Sequence, residues 1–193
     1  MELLLASKSP RRRELLSALG YSVGFIDINV DETLVNPVPV ERIAESLALR
    51  KSQGIDSSSL KEGQILVTAD TVVVCNGQVL GKPHNEADAR RMLLMLSGNV
   101  HTVYTGVCLK SIHSQKAFTE STNVWFKNLS DDDIDYYIQQ YHPFDKAGAY
   151  GIQEWIGMIG INKIEGCYYN VMGLPLARLY QELQEFSANT LSR

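Results

Sequence analysis

Apolar residues occur along the chain either in short continuous runs or at helical spacing. Leu3-Leu4-Leu5-Ala6 predicts a short buried strand, and the valine-rich run at 65–75 predicts a strand covered on both faces. Asn76-Gly77 follows that run, and this dipeptide predicts a two-residue hairpin that returns through Gln78-Val79-Leu80. Alternation or β-branched content predicts further strands at 99–109, 117–127, 157–164 and through Val171.

Helical spacing marks the segments between these strands. Ser9 has the side chain of an N-cap and Pro10 suits a first helical position, so a helix is predicted to begin there. Ser130 is likewise predicted to cap a helix whose first turn holds three aspartates. Helices are predicted from Pro10 to before Gly20, from Val40 to Ser52, from Glu86 to Ser97, after Ser130 and from about Pro175. Because strand–helix crossovers alternate with hairpins, the pattern indicates an α/β fold on a mixed sheet.

Length and composition limit the classes of protein. The 193 residues suit one domain, 1–193, and a single domain with two lobes is an alternative. With 45% hydrophobic and 21% charged residues and a net charge of -4, the chain is typical of a globular protein and not of a general nucleic-acid binder. The three cysteines form no CxxC pair, and no run nears the roughly 20 apolar residues of a membrane span. We therefore expect free thiols, no membrane partner and a cytoplasmic location.

A basic segment lies between the first predicted strand and helix. Ser7-Lys8-Ser9-Pro10 leads into three arginines in the first helical turn, where the helix dipole disfavours cations. A bound anion would reverse that preference, because helix N-termini and arginine forks both bind phosphate. The alternative is a solvated basic turn. The position between a strand and a helix favours phosphate binding.

One acid and one base stand where the pattern places buried residues. Asp70 lies in the middle of the apolar run, and a carboxylate there is costly unless it is paired or binds a metal. Lys51 falls on the apolar side of the helix that starts near Val40. Asp70 suits a general base or metal ligand; the alternative is an acid satisfied by backbone or by a structural arginine. The alternative for Lys51 is a side chain whose ammonium reaches water.

Two more candidates depend on local geometry. A two-residue hairpin would pair Thr71 opposite Lys82, within one residue of Asp70 along the sheet, unless a bulge at Gly81 re-aims the lysine. Val30-Asp31-Glu32 is an acidic pair that could supply a ligand for a hard metal ion, although such pairs are usually solvated.

Several blocks of the sequence occur in the order of a known family. The chain resembles the Maf family of nucleotide pyrophosphatases over nearly its whole length. The likeness rests on 5–12, 30–32, Lys51, 69–73, 81–83, 96–98, 101–103, 105–107, 145–153 and 170–175. The resemblance implies a fold akin to the inosine triphosphate pyrophosphatases: an elongated mixed sheet with flanking helices and two lobes around a central cleft. It also implies a homodimer that requires Mg²⁺ or Mn²⁺.

The resemblance further assigns roles within this chain. The aspartate matching Asp70 is the proton acceptor, and with Glu32 it would hold the metal. The remaining positions that line the phosphate and metal site match Ser7, Arg11, Arg12, Lys51 and Lys82. The implied reaction is the hydrolysis of a nucleoside triphosphate to the monophosphate and pyrophosphate.

Three positions point to one branch of that family. Arg11, Thr71 and Gln153 resemble the branch that cleaves dTTP and UTP, and the amide of Gln153 suits the carbonyl and N3–H edge of a pyrimidine. Modified pyrimidine triphosphates are plausible substrates as well. A glycine commonly follows the Gln153 position, whereas Glu154-Trp155 stands here, so a different loop is expected beside the base. The alternatives are a nucleotide-binding regulator of cell division without significant catalysis and a nucleic-acid-binding module.

Overall fold

The structure is a computed structural model that describes residues 1–30 and 37–191. Within these ranges the strands are β1 Glu2–Ala6, β2 Ser22–Ile26, β3 Gln64–Cys75, β4 Gln78–Leu80, β5 Val100–Lys110, β6 Gln115–Phe126 and β7 Ile161–Glu165. They form one sheet in the order β2-β1-β3-β5-β6-β7, with β4 paired to β3. β1 runs parallel to β2 and β3, whereas β3 and β4, and also β6 and β7, are antiparallel. The sheet is therefore mixed, as predicted.

Helices connect these strands. In the described ranges they are α1 Pro10–Ser17, α2 Ile43–Gln53, α3 Glu86–Leu96, α4 Asp131–Tyr141, α5 Trp155–Gly160, α6 Tyr168–Met172 and α7 Leu176–Leu191, with short 3-10 turns at Val40–Arg42, Ser57–Ser59, Pro143–Asp145 and Ala147–Ala149. Ser9 Oγ caps α1, and Ser130 forms a capping box with Asp133 on α4, which confirms both predicted caps. None of the described helices is long and apolar enough to cross a membrane.

The predicted strand at 157–164 is wrong over its first part. The amides of Gly157 and Met158 both donate to the Glu154 carbonyl, which closes the first turn of α5. Gly157 permits this packing because a Cβ there would come within 1.9 Å of the Ile152 carbonyl oxygen. Only from Ile161 does the chain enter β7.

The predicted strand through Val171 is helix α6 instead. Asn170 is fully buried, and its side-chain Nδ2 donates to the Val103 carbonyl at 3.0 Å and to Thr122 Oγ1 at 2.9 Å. Its backbone amide donates to the Cys167 carbonyl at 3.1 Å, as a helical turn requires. The short strand β2 was not among the predicted elements.

The chain divides into two compact units. We call Met1–Asp70, Thr105–Glu120 and Gly173–Arg193 the Asp70 unit, and Thr71–Tyr104 and Ser121–Met172 the Gln153 unit. Strands β3, β5 and β6 contribute residues to both. The Gln153 unit holds a large core in which the apolar face of α3 packs with residues of α4 and α5: Ala89, Met92, Leu93, Leu96, Ile134, Tyr137 and Ile156.

Candidate active site

An ion pair joins Lys51 and Asp70 in the Asp70 unit. Lys51 Nζ donates to Asp70 Oδ1 at 2.5 Å, and each side chain is only 13% exposed. Lys51 thus lies on the inner side of α2, as its spacing predicts, and Asp70 lies at the middle of β3. A carboxylate this sheltered needs a partner, and the partner is a lysine rather than the backbone or arginine considered from the sequence.

Two side chains that were not predicted as site residues position α2 at this pair. Thr68 lies on β3 and is fully buried, and its Oγ1 donates to the Ala48 carbonyl at 2.7 Å. Lys110 ends β5, and its Nζ donates to the Ser52 and Ile55 carbonyls at 3.1 and 2.5 Å. Lysine at a helix C-terminus satisfies carbonyls that have no partner within the helix. These contacts join distant segments, so spacing along the chain gives no signal for them.

The segment between β1 and α1 is organised by its own hydroxyls. The buried Ser7 accepts at Oγ from the Ser9 amide at 3.1 Å, and Ser9 Oγ accepts from the Arg12 amide at 3.4 Å. Arg13 donates from Nε to the Ser7 carbonyl at 3.0 Å and pairs through Nη2 with Asp27 at 2.7 Å. Arg13 is therefore engaged with protein groups, while Arg11 lies half-buried in the first turn of α1.

Arg12 contacts two carbonyls of the Asp70 unit. Its Nη1 donates to the Ala69 oxygen at 2.9 Å, and its Nε donates to the Gly173 oxygen at 2.8 Å. Ala69 directly precedes Asp70 in β3. The guanidinium that the sequence assigns to phosphate therefore also holds the backbone beside the predicted proton acceptor.

The Asn76-Gly77 hairpin is confirmed in the Gln153 unit. Both residues have positive φ, at 49° and 73°, as a type I′ turn requires. The ladder between β3 and β4 ends at the pair of Val73 with Leu80, two pairs short of the predicted partners Thr71 and Lys82. Beyond it, the Gly81 carbonyl accepts from the Gly148 amide at 3.0 Å. Lys82 follows with an exposed side chain, and Thr71 is half-buried on β3.

Gln153 lies in a tight turn that precedes α5. The Glu154 amide donates to the Gly151 carbonyl at 3.0 Å, which closes the turn 151–154. Gln153 Oε1 is buried and has no hydrogen-bond partner among the described residues. Glu154 forms an ion pair with Lys146 at 3.1 Å and accepts a short hydrogen bond from the Tyr137 hydroxyl.

The described part of the chain contains no ready-made metal site. Within residues 1–30 and 37–191, no three His, Cys, Asp or Glu side chains gather in a group that could hold a metal ion. Asp70 lies in this part, whereas Glu32, the other predicted ligand, lies outside the described residues. Mg²⁺ is commonly bound by one or two carboxylates together with substrate phosphates and water. Asp70 therefore fits as one oxygen ligand of such a cation.

Comparison with known families supports the resemblance seen in the sequence. Residues 2–186 match the family described as Maf-like protein. The chain belongs to the Maf-like family. It is 50% identical over 186 residues to a Phocaeicola vulgatus protein named dTTP/UTP pyrophosphatase, with 95% of each chain covered. A Carboxydothermus hydrogenoformans protein of the same name is 48% identical over 188 residues, which cover 96% of this chain and 99% of that protein.

A solved structure bears on the fold of this Maf-like chain. The Staphylococcus aureus Ham1 protein matches with a TM-score of 0.55 at 17% identity, and the match covers 97% of this chain and 100% of that one. The two proteins therefore share the mixed α/β fold. At this level of identity the likeness concerns architecture alone.

Proposed function

We propose that this Maf-like chain hydrolyses nucleoside triphosphates, chiefly dTTP and UTP, to the nucleoside monophosphate and pyrophosphate. Relatives at 44–50% identity over almost the full length carry the name dTTP/UTP pyrophosphatase. The structural observation that carries the proposal is the sheltered pair of Lys51 and Asp70. It supplies a base for water and a cation for phosphate within one hydrogen bond of each other.

In the proposed reaction, Asp70 accepts a proton from the water whose oxygen attacks the α-phosphorus. The bond between the α-phosphorus and the bridging oxygen to the β-phosphorus breaks, and pyrophosphate leaves. Lys51, Arg11, Arg12 and Lys82 neutralise the triphosphate and the charge that develops on it, and Ser7 lines the phosphate site. A divalent cation, Mg²⁺ or Mn²⁺, would be held by Asp70 and Glu32 and would polarise the phosphoryl group.

Base selection is proposed for the Gln153 unit. The Gln153 amide can donate to a pyrimidine carbonyl and accept from N3–H, and the buried Oε1 without a partner supports this role. Thr71 is proposed to contribute from β3. Uracil and thymine share this edge, whereas cytosine presents an amine and an unprotonated nitrogen there. The proposal therefore predicts poor cleavage of CTP.

The test is pyrophosphate release from dTTP, UTP, CTP, GTP, ATP and 7-methyl-GTP with Mg²⁺ or Mn²⁺. Selective cleavage of dTTP and UTP is expected, and Asp70→Asn should abolish turnover while nucleotide binding is largely kept. An Asp70→Asn enzyme that works at nearly the wild-type rate would contradict the assigned base. Binding of nucleotide with no release of pyrophosphate from any member of the panel would favour the regulator over the enzyme.

A homodimer and a cytoplasmic location are further proposals. The family resemblance supports the dimer, and light scattering of the purified protein at several concentrations tests it. The cysteines Cys75, Cys108 and Cys167 are free thiols, which suits a reducing compartment. Microscopy of a fluorescent fusion tests the location.

A further inference from the structure

A network of hydrogen bonds and ion pairs supports the turn that carries Gln153. The Tyr137 hydroxyl accepts from the Gly151 amide at 3.0 Å and donates to Glu154 Oε2 in a short hydrogen bond. Lys146 Nζ lies 3.1 Å from Glu154 Oε1 and 2.8 Å from Asp145 Oδ1. Every one of these groups belongs to the Gln153 unit.

The network is sheltered from water. Tyr137 is fully buried, the Lys146 side chain is 8% exposed and the Glu154 side chain is 19% exposed. Burial, followed by the hydrogen bond to Glu154, raises the pKa of the Tyr137 hydroxyl far above its usual value, so it remains a donor at any working pH. Charged and hydroxyl groups in such surroundings hold their geometry closely, because each lost hydrogen bond would leave a buried polar group unpaired.

Gly151 brings the network against Gln153. A Cβ on Gly151 would lie 2.8 Å from Glu154 Cδ and 3.1 Å from Gln153 Nε2. The Glu154 carboxyl group and the Gln153 amide therefore both rest on the bare Cα of Gly151. The Glu154 side chain occupies space that a glycine at position 154 would leave empty.

We propose that Glu154, held by Tyr137 and Lys146, is a positioning residue that orients the Gln153 amide and so sharpens selection of the pyrimidine base. The inference rests on the proposed function, because it assigns a cause to the base preference expected there. Glu154 does not touch the base in this scheme. It acts through Gly151, whose amide and Cα connect the network to the side chain that does.

The first test compares UTP with CTP, which differ at the edge that Gln153 is proposed to read. The ratio of kcat/KM values, UTP over CTP, should fall by about 3- to 10-fold in both Glu154→Ala and Tyr137→Phe, the range that one hydrogen bond supplies. Glu154→Gln keeps an acceptor for the Tyr137 hydroxyl, and Asp145 still pairs with Lys146, so it should retain the ratio within about twofold. The matched control is Glu165→Gln, which should leave the ratio unchanged. Glu165 is paired with Lys163, and its side chain is 63% exposed.

A double variant separates positioning from a general effect. In a Gln153→Ala background, Glu154→Ala should change the ratio no further, since the side chain to be oriented is gone. An unchanged ratio in Glu154→Ala, with or without a lower melting temperature, would overturn the proposal. The proposal would also be overturned if Glu154→Ala lowered the ratio equally in the wild type and in the Gln153→Ala background.

An NMR measurement decides the matter independently of catalysis. The side-chain amide resonances of Gln153 should shift in Glu154→Ala and Tyr137→Phe but not in Glu165→Gln. If the wild-type protein released no pyrophosphate, the proposed function would fail while these resonances still tested the positioning. Resonances at identical positions in the wild type and Glu154→Ala would overturn the inference even in an active enzyme.

Discussion

The hydroxyl of Thr68 donates a 2.7 Å hydrogen bond to the carbonyl of Ala48 and so joins strand β3 to helix α2. Thr68 precedes Asp70 by two residues, and Ala48 precedes Lys51 by three. The contact therefore sets the alignment of the two elements whose side chains form the sheltered ion pair. The pair depends on this alignment as well as on the attraction between its charges.

Replacement of Thr68 by valine should loosen that alignment. Thr68→Val keeps the shape of the side chain but removes the hydrogen-bond donor. We expect the free energy of unfolding to fall by about 1 kcal/mol, and kcat to fall by a larger factor than KM changes. Urea unfolding and steady-state kinetics with UTP measure the two effects. Thr68→Ser retains the hydroxyl and serves as the control. Equal stability and turnover in Thr68→Val and the wild type would show that the contact is incidental.

Lys51 and Asp70 should prove energetically coupled. Removing either partner leaves the other charge sheltered and unpaired. The losses of unfolding free energy in Lys51→Met and Asp70→Asn, added together, should therefore exceed the loss in the double variant by about 1–3 kcal/mol. Urea unfolding of the four proteins completes the cycle. The exposed pair of Lys163 and Glu165 provides the comparison, with expected coupling below about 1 kcal/mol. Additive losses at Lys51 and Asp70 would contradict the prediction.

The buried His101 should make folding sensitive to mild acid. Burial lowers the pKa of His101 to about 3 from an ordinary value of 6.5. Because the unfolded chain takes up this proton below pH 6.5 and the folded chain does not until about pH 3, stability falls as the pH drops between these values. Proton uptake by His101 in the unfolded chain lowers the free energy of unfolding by about 2 kcal/mol between pH 7 and pH 5.

Unfolding measured at pH 7, 6 and 5 tests this dependence. His101→Gln can still bond to Tyr150, whose hydroxyl lies 2.7 Å from His101 Nε2, and it should lose less stability in acid than the wild type. The exposed His84 gives the control His84→Gln, which should follow the wild-type curve. Parallel curves for all three proteins would exclude His101 as the source.

Gly106 should tolerate no side chain. A Cβ there would stand 2.2 Å from the Glu45 amide nitrogen and 2.4 Å from the Ala44 carbonyl oxygen, both backbone atoms of α2. Gly106→Ala must push the helix away from β5, and we expect a loss of about 1–3 kcal/mol. Gly81→Ala is the matched control, because a Cβ at Gly81 meets no atom within 4 Å. Thermal unfolding compares the two; similar melting temperatures would contradict the close approach.

Much of the fold could be predicted from spacing because most elements are specified locally. The face of α3 formed by Ala89, Met92, Leu93 and Leu96 is buried as predicted, and the Asn76-Gly77 turn has the expected backbone. Besides the missed strand β2, the errors fall between 157 and 172, where apolar composition favours strand. Two tertiary contacts favour helix there instead. Gly157 packs closely against Ile152, and the Asn170 side chain bonds to strands β5 and β6.

The candidate site was predictable one residue at a time but not as an arrangement. A charge inside an apolar run singles out Asp70, and helical spacing places Lys51 inside. Nothing in either pattern indicates that they meet. Lys110 contacts α2, and Glu154 contacts Tyr137, across long stretches of the chain. Neither contact could be predicted from hydrophobic periodicity.

The two bonds from Arg12 to the Ala69 and Gly173 carbonyls have a consequence for the interpretation of variants. One guanidinium ties the start of α1 to the residue before Asp70 and to the approach to α7. A loss of rate in Arg12→Ala would therefore combine the loss of the proposed phosphate contact with a displacement of Asp70, the proposed base. Even lysine, which has no second arm, cannot reproduce both bonds. If Arg12 also binds the substrate as proposed, a substitution there changes the backbone beside Asp70 and the substrate contact together, and neither can vary alone.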